Sequence, residues 1–397
     1  MPTPYGRDFI RVEALETFPQ VPLQSAPEAE AFLARVEQEQ GRSGPYGQGL
    51  SESLLDAANY FQSRGDFQRV GPLLRRAVHV TRINDGLYSA LQLTLLQGLL
   101  ANYLRQGDLG RADEIQAWLY NLHRRINQPG DDAYIQASVA YSNWRRKHWL
   151  LEPDAESSDR LYDIWRLLDR QMPAEDSVAL PPALLTSLVH AQLQLLYLVD
   201  ASDFGLDQQT EMMLGSQYAR QQQPDIAKSH MQYLQKMAYS KGRQRLELLI
   251  ARLEESGEPI AQAEAEKQLG DWYMWHGKRR QAAERYRKAW ALLTAAGEEQ
   301  QRSQWFDEPT ELPAEEALYG GARAGWVLPE SGPVTAEFTV SARGKAREID
   351  TRIEDEAHQG ASRRVQRLLR NTRFRPRLEA GEMVETTGVV REYQVLF

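Results

Sequence analysis

Between residues 51 and 297 the apolar residues recur three and four positions apart, and glycine-centred turns cut this pattern into segments of helical length. Around Gly65-Asp66 the order is Leu54, Ala58, Phe61, turn, Val70, Leu74, Ala77. Around Gly107-Asp108 it is Leu96, Leu100, Tyr103, turn, Ala112, Gln116, Leu119. The clearest unit, residues 263–296, places Leu269-Gly270 and Tyr273 before Gly277, and Ala282, Tyr286 and Ala289 after it. A fourth copy passes through Gly215, Tyr218, Ala227, Met231 and Leu234, with a turn at Gln222-Gln223-Pro224-Asp225 whose proline suits the start of a helix. Each copy predicts two antiparallel helices. Small residues let the helices approach, aromatics fill the space between them, and a glycine with positive φ ends the first. Residues 131–151, 157–172 and 182–199 also carry apolar residues at helical spacing, Leu161, Ile164, Trp165 and Leu168 among them, and predict three more helices.

The pattern stops after Gly297. Residues 298–333 hold Pro309, Pro313, Gly320-Gly321, Gly325, Pro329 and Gly332-Pro333, which predicts a linker or an extended wrap. Its aromatics, Trp305, Phe306, Tyr319 and Trp326, predict a tether that packs on a neighbour; the alternative to an open terminal strand is that this tether, with Trp326 as lid, already covers its edge. From Val334 the period becomes two. Val334, Phe338 and Val340 mark a strand, residues 341–345 a turn, and 346–353 a second strand. A helix over 356–371 follows, with Val365, Leu368 and Leu369 on one face. A last strand carries Val389, Tyr393, Val395 and Phe397, and Gly388 sits where the apolar phase switches, as a bulge requires. The predicted fold class is mainly α: residues 1–50 as an N-terminal extension and first helix, 51–297 as a helical solenoid, and 334–397 as a small α+β (ββαβ) domain.

The helical part resembles tetratricopeptide repeat proteins. Gly65 and Gly107 stand about 42 residues apart against roughly 34 in an ideal repeat, so the helices or loops are longer than usual. The resemblance implies a groove for peptides or partner proteins. It implies groove-facing residues at Asn59, Gln62, Gln97, Arg105, Arg220, Lys267 and Asp271, each of which also reads as an ordinary solvated helix residue. The tail resembles the C-terminal domain of TonB-type energy transducers. The likeness is carried by Glu337-Phe338 and Val340, Gly344-Lys345, the run Arg373-Phe374-Arg375-Pro376, Gly381 and Val384, and the stretch from Tyr393 to Phe397. It implies capture of a receptor peptide by addition to the last strand, with Val389, Arg391, Tyr393, Val395 and Phe397 along the edge. Tyr319-Gly320-Gly321 stands where the family has Tyr-Pro, and no inner-membrane anchor or proline-rich spacer is visible. The expectation is therefore a TonB-like adaptor and not a transducer.

Composition narrows the choice. The chain has 397 residues, net charge -8 and no cysteine. The charge argues against nucleic acid as a partner, and the missing cysteine excludes disulfides, thiolate catalysis and Cys-bound zinc. Seven scattered histidines form no metal spacing, and no P-loop, nucleophile elbow or dinucleotide fingerprint is present. The expectation is no enzyme, no metal and no cofactor. The run from Arg363 to Arg377 reads as a solvated face neutralised by Glu354, Glu356 and Glu379, or as a dock for an acidic partner or anionic surface. No uninterrupted apolar run reaches membrane-spanning length; Leu188 to Val199 is broken by His190, Gln192 and Gln194 and suits a buried helix. The segment from Met1 to Arg7 does not read as a signal peptide. The leading expectation is a bacterial envelope or periplasmic scaffold whose leader or anchor is not in this sequence, binding protein partners, outer-membrane ones among them. The alternatives are a cytoplasmic peptide-binding regulator with a dimerising tail, and a cell-wall hydrolase.

Overall fold

A computed structural model describes residues 27–151, 158–173, 180–201, 226–313, 331–353 and 359–396. These fall into two compact units, with the division between Trp144 and Arg145.

The first unit is built from α1 (Pro27–Ser43), α2 (Leu50–Ser63), α3 (Phe67–Asp85), α4 (Gln92–Arg105), α5 (Leu109–Ile126) and the start of α6 (Asp132–Leu151). The predicted turns are formed as expected. Gly65 and Gly107 adopt positive φ (76° and 71°). The amide after each glycine donates back to a carbonyl five residues earlier, Asp66 to Phe61 and Asp108 to Tyr103, both at 2.9 Å, which satisfies a carbonyl the helix end would leave bare. The same aspartates then accept from the amides of Arg69 and Arg111 and cap the next helix. Leu54, Ala58 and Phe61 of α2 meet Val70, Leu74 and Ala77 of α3 in one core, which continues through Leu96, Leu99 and Tyr103 to Ala112 and Leu119.

The second unit contains α7 (Ser158–Asp169), α8 (Pro182–Ala201), α9 (Ile226–Ser256), α10 (Pro259–Trp275), α11 (Arg279–Ala295) and α12 (Glu299–Phe306). The glycine turn recurs at Gly257, Gly277 and Gly297, again with the following amide bonded five residues back. Among the described residues α8 is long and apolar enough to cross a membrane. Here it is a core helix: Leu188, Leu195, Leu196, Leu198 and Val199 are fully buried. Of its buried polar residues, Gln194 accepts from buried Arg146 at 2.7 Å through its side-chain carbonyl, while the Gln192 amide has no hydrogen-bond partner among the described residues. Gly242 of α9 lets the Trp272 indole of α10 lie against its backbone; a Cβ there would stand 2.5 Å from the ring.

The stretch predicted as a linker is partly regular structure. The turn at Gly297 leads into α12, which buries Phe306, and β1 (Thr310–Leu312) pairs with β4 (Arg373–Arg375). Helix α12 repeats the turn-and-helix device without completing a pair, so periodicity alone gave it no partner. Trp326 lies outside the described residues, as does the predicted turn at 222–225.

The tail has the predicted ββαβ order. β2 (Ser331–Val340), β3 (Ala346–Ile353) and β7 (Thr386–Leu396) form one antiparallel sheet ordered β3-β2-β7, covered by α13 (Gln359–Asn371). Short strands β5 (Leu378–Glu379) and β6 (Glu382–Met383) make a hairpin between β4 and β7. Val334, Ala336, Phe338 and Val340 alternate on the face toward α13, where Ala361, Val365 and Leu369 recur every fourth residue to meet them. The predicted bulge is present: the β2–β7 register slips between Phe338 and Val340, opposite Gly388 at φ 67°.

Candidate functional site

The tail is fastened to the last helix pair through one buried charge. Gly270 of α10 allows the Tyr286 ring of α11 to pack on the helix backbone, a Cβ there standing 2.4 Å from a ring carbon. This brings the Tyr286 hydroxyl to the Asp271 carboxylate of α10, to which it donates at 2.9 Å. Burial, reinforced by that carboxylate, pushes the Tyr286 phenol well above its ordinary pKa and keeps it a donor. The other Asp271 oxygen accepts from Arg375 of β4 at 2.7 Å. Arg375 also donates to the Thr310 hydroxyl of β1 at 3.0 Å, and its guanidinium stands 5.8 Å from the Phe306 ring. Arg375 and Asp271 are 4% and 5% exposed, so the pair lies in a low-dielectric setting where losing either partner strands a charge. A second contact joins Arg287 of α11 to Glu382 of β6 at 2.8 Å.

Strand β7 is the candidate site within the tail. Among the described residues it pairs with β2 alone, so one of its edges is unpaired there. Pro333, which has no N–H, stands opposite Gln394, as it can only in a pair that exchanges no backbone bonds. By alternation Val390, Glu392 and Gln394 direct their backbone N–H and C=O away from β2. The Val390 carbonyl accordingly accepts from the Arg391 guanidinium at 3.3 Å. The side chains divide the other way. Val389 is buried, Arg391 donates to Glu308 at 2.8 Å, and the Tyr393 hydroxyl donates to Glu311 of β1. Val390 stands 53% exposed on the opposite face. Burial raises the Glu311 carboxyl above the usual range, opposed by the Tyr393 hydrogen bond and by Arg391. Burial and Glu311 likewise raise the Tyr393 phenol.

The expected edge residues Val389, Arg391 and Tyr393 therefore lie on the face held by the tail's own contacts, while the outward main-chain groups belong to the residues between them. Val395 follows the same register opposite Gly332, and Phe397 lies outside the described residues. Of the expected groove residues, Asn59 and Gln97 are exposed, Gln62 is half-buried, and Arg105 is exposed with its guanidinium 5.5 Å from the Phe67 ring. Lys267 and Asp271 are buried and meet groups of this same chain, Trp305 (3.9 Å from the ammonium to the ring centre) and Arg375. A pattern over α10 cannot show that residues far along the chain, Trp305 and Arg375, cover it. Arg220 lies outside the described residues. The Arg363–Arg377 cluster separates: Arg363, Arg367 and Arg370 are exposed on α13, Arg375 is buried, and Arg377 pairs with Glu379.

One feature escaped the sequence reading: a cleft of about 370 Å³ between α3 and α5, lined by Arg75, His79, Arg82, Arg111, Glu114 and Trp118 over a floor from α4. Its signal was legible as Arg75, His79 and Arg82 one turn apart on one helix face. Among the described residues no group of three His, Asp or Glu side chains is placed to hold a metal.

No protein-family model matches the chain, and no curated protein matches it. Solved structures include a putative kinesin light chain of Podosopora anserina with nearly identical TPR-like repeats, 13% identical, covering 62% of this chain and 96% of that one at a TM-score of 0.40. A second structure of the same description is 14% identical, covering 62% and 95% at 0.39. The tetratricopeptide-like architecture rests on the repeated helix pairs and glycine turns described above.

Proposed function

We propose that this chain is a non-enzymatic adaptor of the bacterial cell envelope, in which the helical repeats engage one protein and the TonB-like tail captures a segment of another by strand addition. The observation that carries the reading is the outward main chain of Val390 and Gln394 on an edge strand whose Val389, Arg391 and Tyr393 side chains are already anchored. Such a strand offers main-chain donors and acceptors from a fixed position, so little ordering entropy remains to be lost on capture. The strand order β3-β2-β7 with a single covering helix supports the resemblance seen in Arg373-Phe374-Arg375-Pro376 and the terminal strand. Fastening through Asp271 and Arg375 favours an adaptor that holds its tail in place over one that lets it swing.

The test uses a photo-crosslinking residue at Val390 in whole bacterial cells, with and without Gln394→Pro. Proline at Gln394 removes an outward N–H and spares the bonds to β2, so crosslinks to envelope proteins should form and then be lost. Crosslinks that survive Gln394→Pro, or that form to cytoplasmic proteins alone, would refute the reading.

A further inference from the structure

The cleft of the first unit differs in chemistry from the edge strand of the tail. Arg75, His79 and Arg82 occupy one face of α3, and Arg111, Glu114 and Trp118 face them from α5. Val78, Leu99 and Ile115 make an apolar floor. The three arginines are exposed, yet each is held in place. Arg75 donates to the Tyr103 hydroxyl at 2.8 Å. Arg82 lies 5.0 Å over the Trp118 ring, and Arg111 lies 5.7 Å from the Tyr103 ring and 3.4 Å from Asp108. A guanidinium resting on an aromatic face, as Arg82 rests on Trp118, can still bind a carboxylate through its in-plane N–H fork, and it has already lost part of its rotamer freedom. Two turns further along α5, Arg125 stands 5.4 Å from the Tyr88 ring, and the exposed Leu87 and Leu91 extend the apolar surface.

We infer that this cleft docks an acidic segment of a partner protein, its Asp or Glu side chains on Arg75, Arg82 and Arg111 and an apolar side chain between them on the floor. The three guanidiniums outnumber the carboxylates of Glu114 and of Asp108, which lies beside Arg111, in a chain whose net charge is -8, so the local excess is opposite to the whole. The apolar floor favours a peptide over a phosphate backbone, which would leave it unfilled. The inference is independent of strand capture, because the cleft and β7 belong to different compact units.

The probe is a labelled twelve-residue peptide of alternating Glu and Leu, read by fluorescence anisotropy on the full chain, beside the same peptide with Gln for Glu. The acidic peptide should bind and the neutral one should not. Arg75→Gln with Arg82→Gln should weaken binding at least tenfold, with thermal melts confirming the fold. Arg82→Lys, which keeps the charge and loses the planar fork, should weaken it several-fold and decides the matter if the double variant does not fold. An equal charge change elsewhere, Arg363→Gln with Arg367→Gln, should leave binding unchanged. Equal binding of both peptides, equal loss in that control, or tighter binding of single-stranded DNA of matching charge would overturn the inference. Displacement of the peptide by an equal concentration of inorganic phosphate would overturn it too, reducing the cleft to an anion subsite.

Discussion

Arg375 shows how one side chain can decide what a surface is for. Asp271 was expected to face a partner protein, and Arg375 reaches it from 104 positions later in the same chain. Removing one partner of a buried, hydrogen-bonded pair costs about 3–5 kcal/mol, whereas replacing both by neutral groups of similar volume is far milder. Arg375→Met should therefore destabilise the protein by about that amount in urea denaturation, and Asp271→Asn with Arg375→Met should recover most of it. Two equal, additive losses would mean that the pair does not fasten the tail. Glu311 gives a pH-dependent counterpart. Its carboxyl is raised in the folded protein, so ionising it costs stability once the pH exceeds the unfolded carboxyl value of about 4.3, and the cost is complete above its folded pKa. Glu311→Gln, which still accepts from Tyr393, should be as stable as the parent near pH 4 and more stable at pH 7. A variant less stable at pH 7 would show that the charge helps the fold.

At the scale of elements, small residues carry the helix pairs. Gly270→Ala would drive a methyl into the buried Tyr286 ring and should cost about 1–3 kcal/mol by overpacking, measured as a shift of the denaturation midpoint. Gly257→Ala meets open space, so its cost of about 1–2 kcal/mol should come from the positive φ alone, and only the Gly270 variant should be relieved by shrinking Tyr286. These pairs were legible in sequence because a glycine turn and a 3.6-residue stripe are local signals that agree, with a capping aspartate added at α3 and α5. The predicted helices 131–151 and 182–199 match α6 and α8 closely for the same reason, and the period-two alternation located β2, β3 and β7 with the bulge at Gly388. Prolines and glycines, by contrast, concealed α12 and β1. A three-residue strand such as β1 has no periodicity of its own and exists because β4 offers it a ladder. The cleft was missed for a related reason: its two walls are separate helices, each with an unremarkable run of arginines until packing sets them face to face.

The whole molecule joins two compact units of different chemistry, one of helix pairs and one that carries a small sheet on its last helices. The residue-level ties of Tyr393 and Arg391 to Glu311 and Glu308 hold one face of β7, Arg375 of β4 fastens the neighbouring β1–β4 pair to Asp271, and what they leave outward is the main chain of β7. The adaptor reading depends on that main chain being available. Hydrogen exchange of the isolated full-length protein, resolved to single amides, tests it most directly. The amides of Val389, Arg391 and Tyr393, bonded to β2, should exchange slowly, while those of Val390 and Gln394 should exchange quickly despite lying in the same strand. Slow exchange at all five in the monomer would mean that the edge is already covered, and strand capture by this tail would be contradicted.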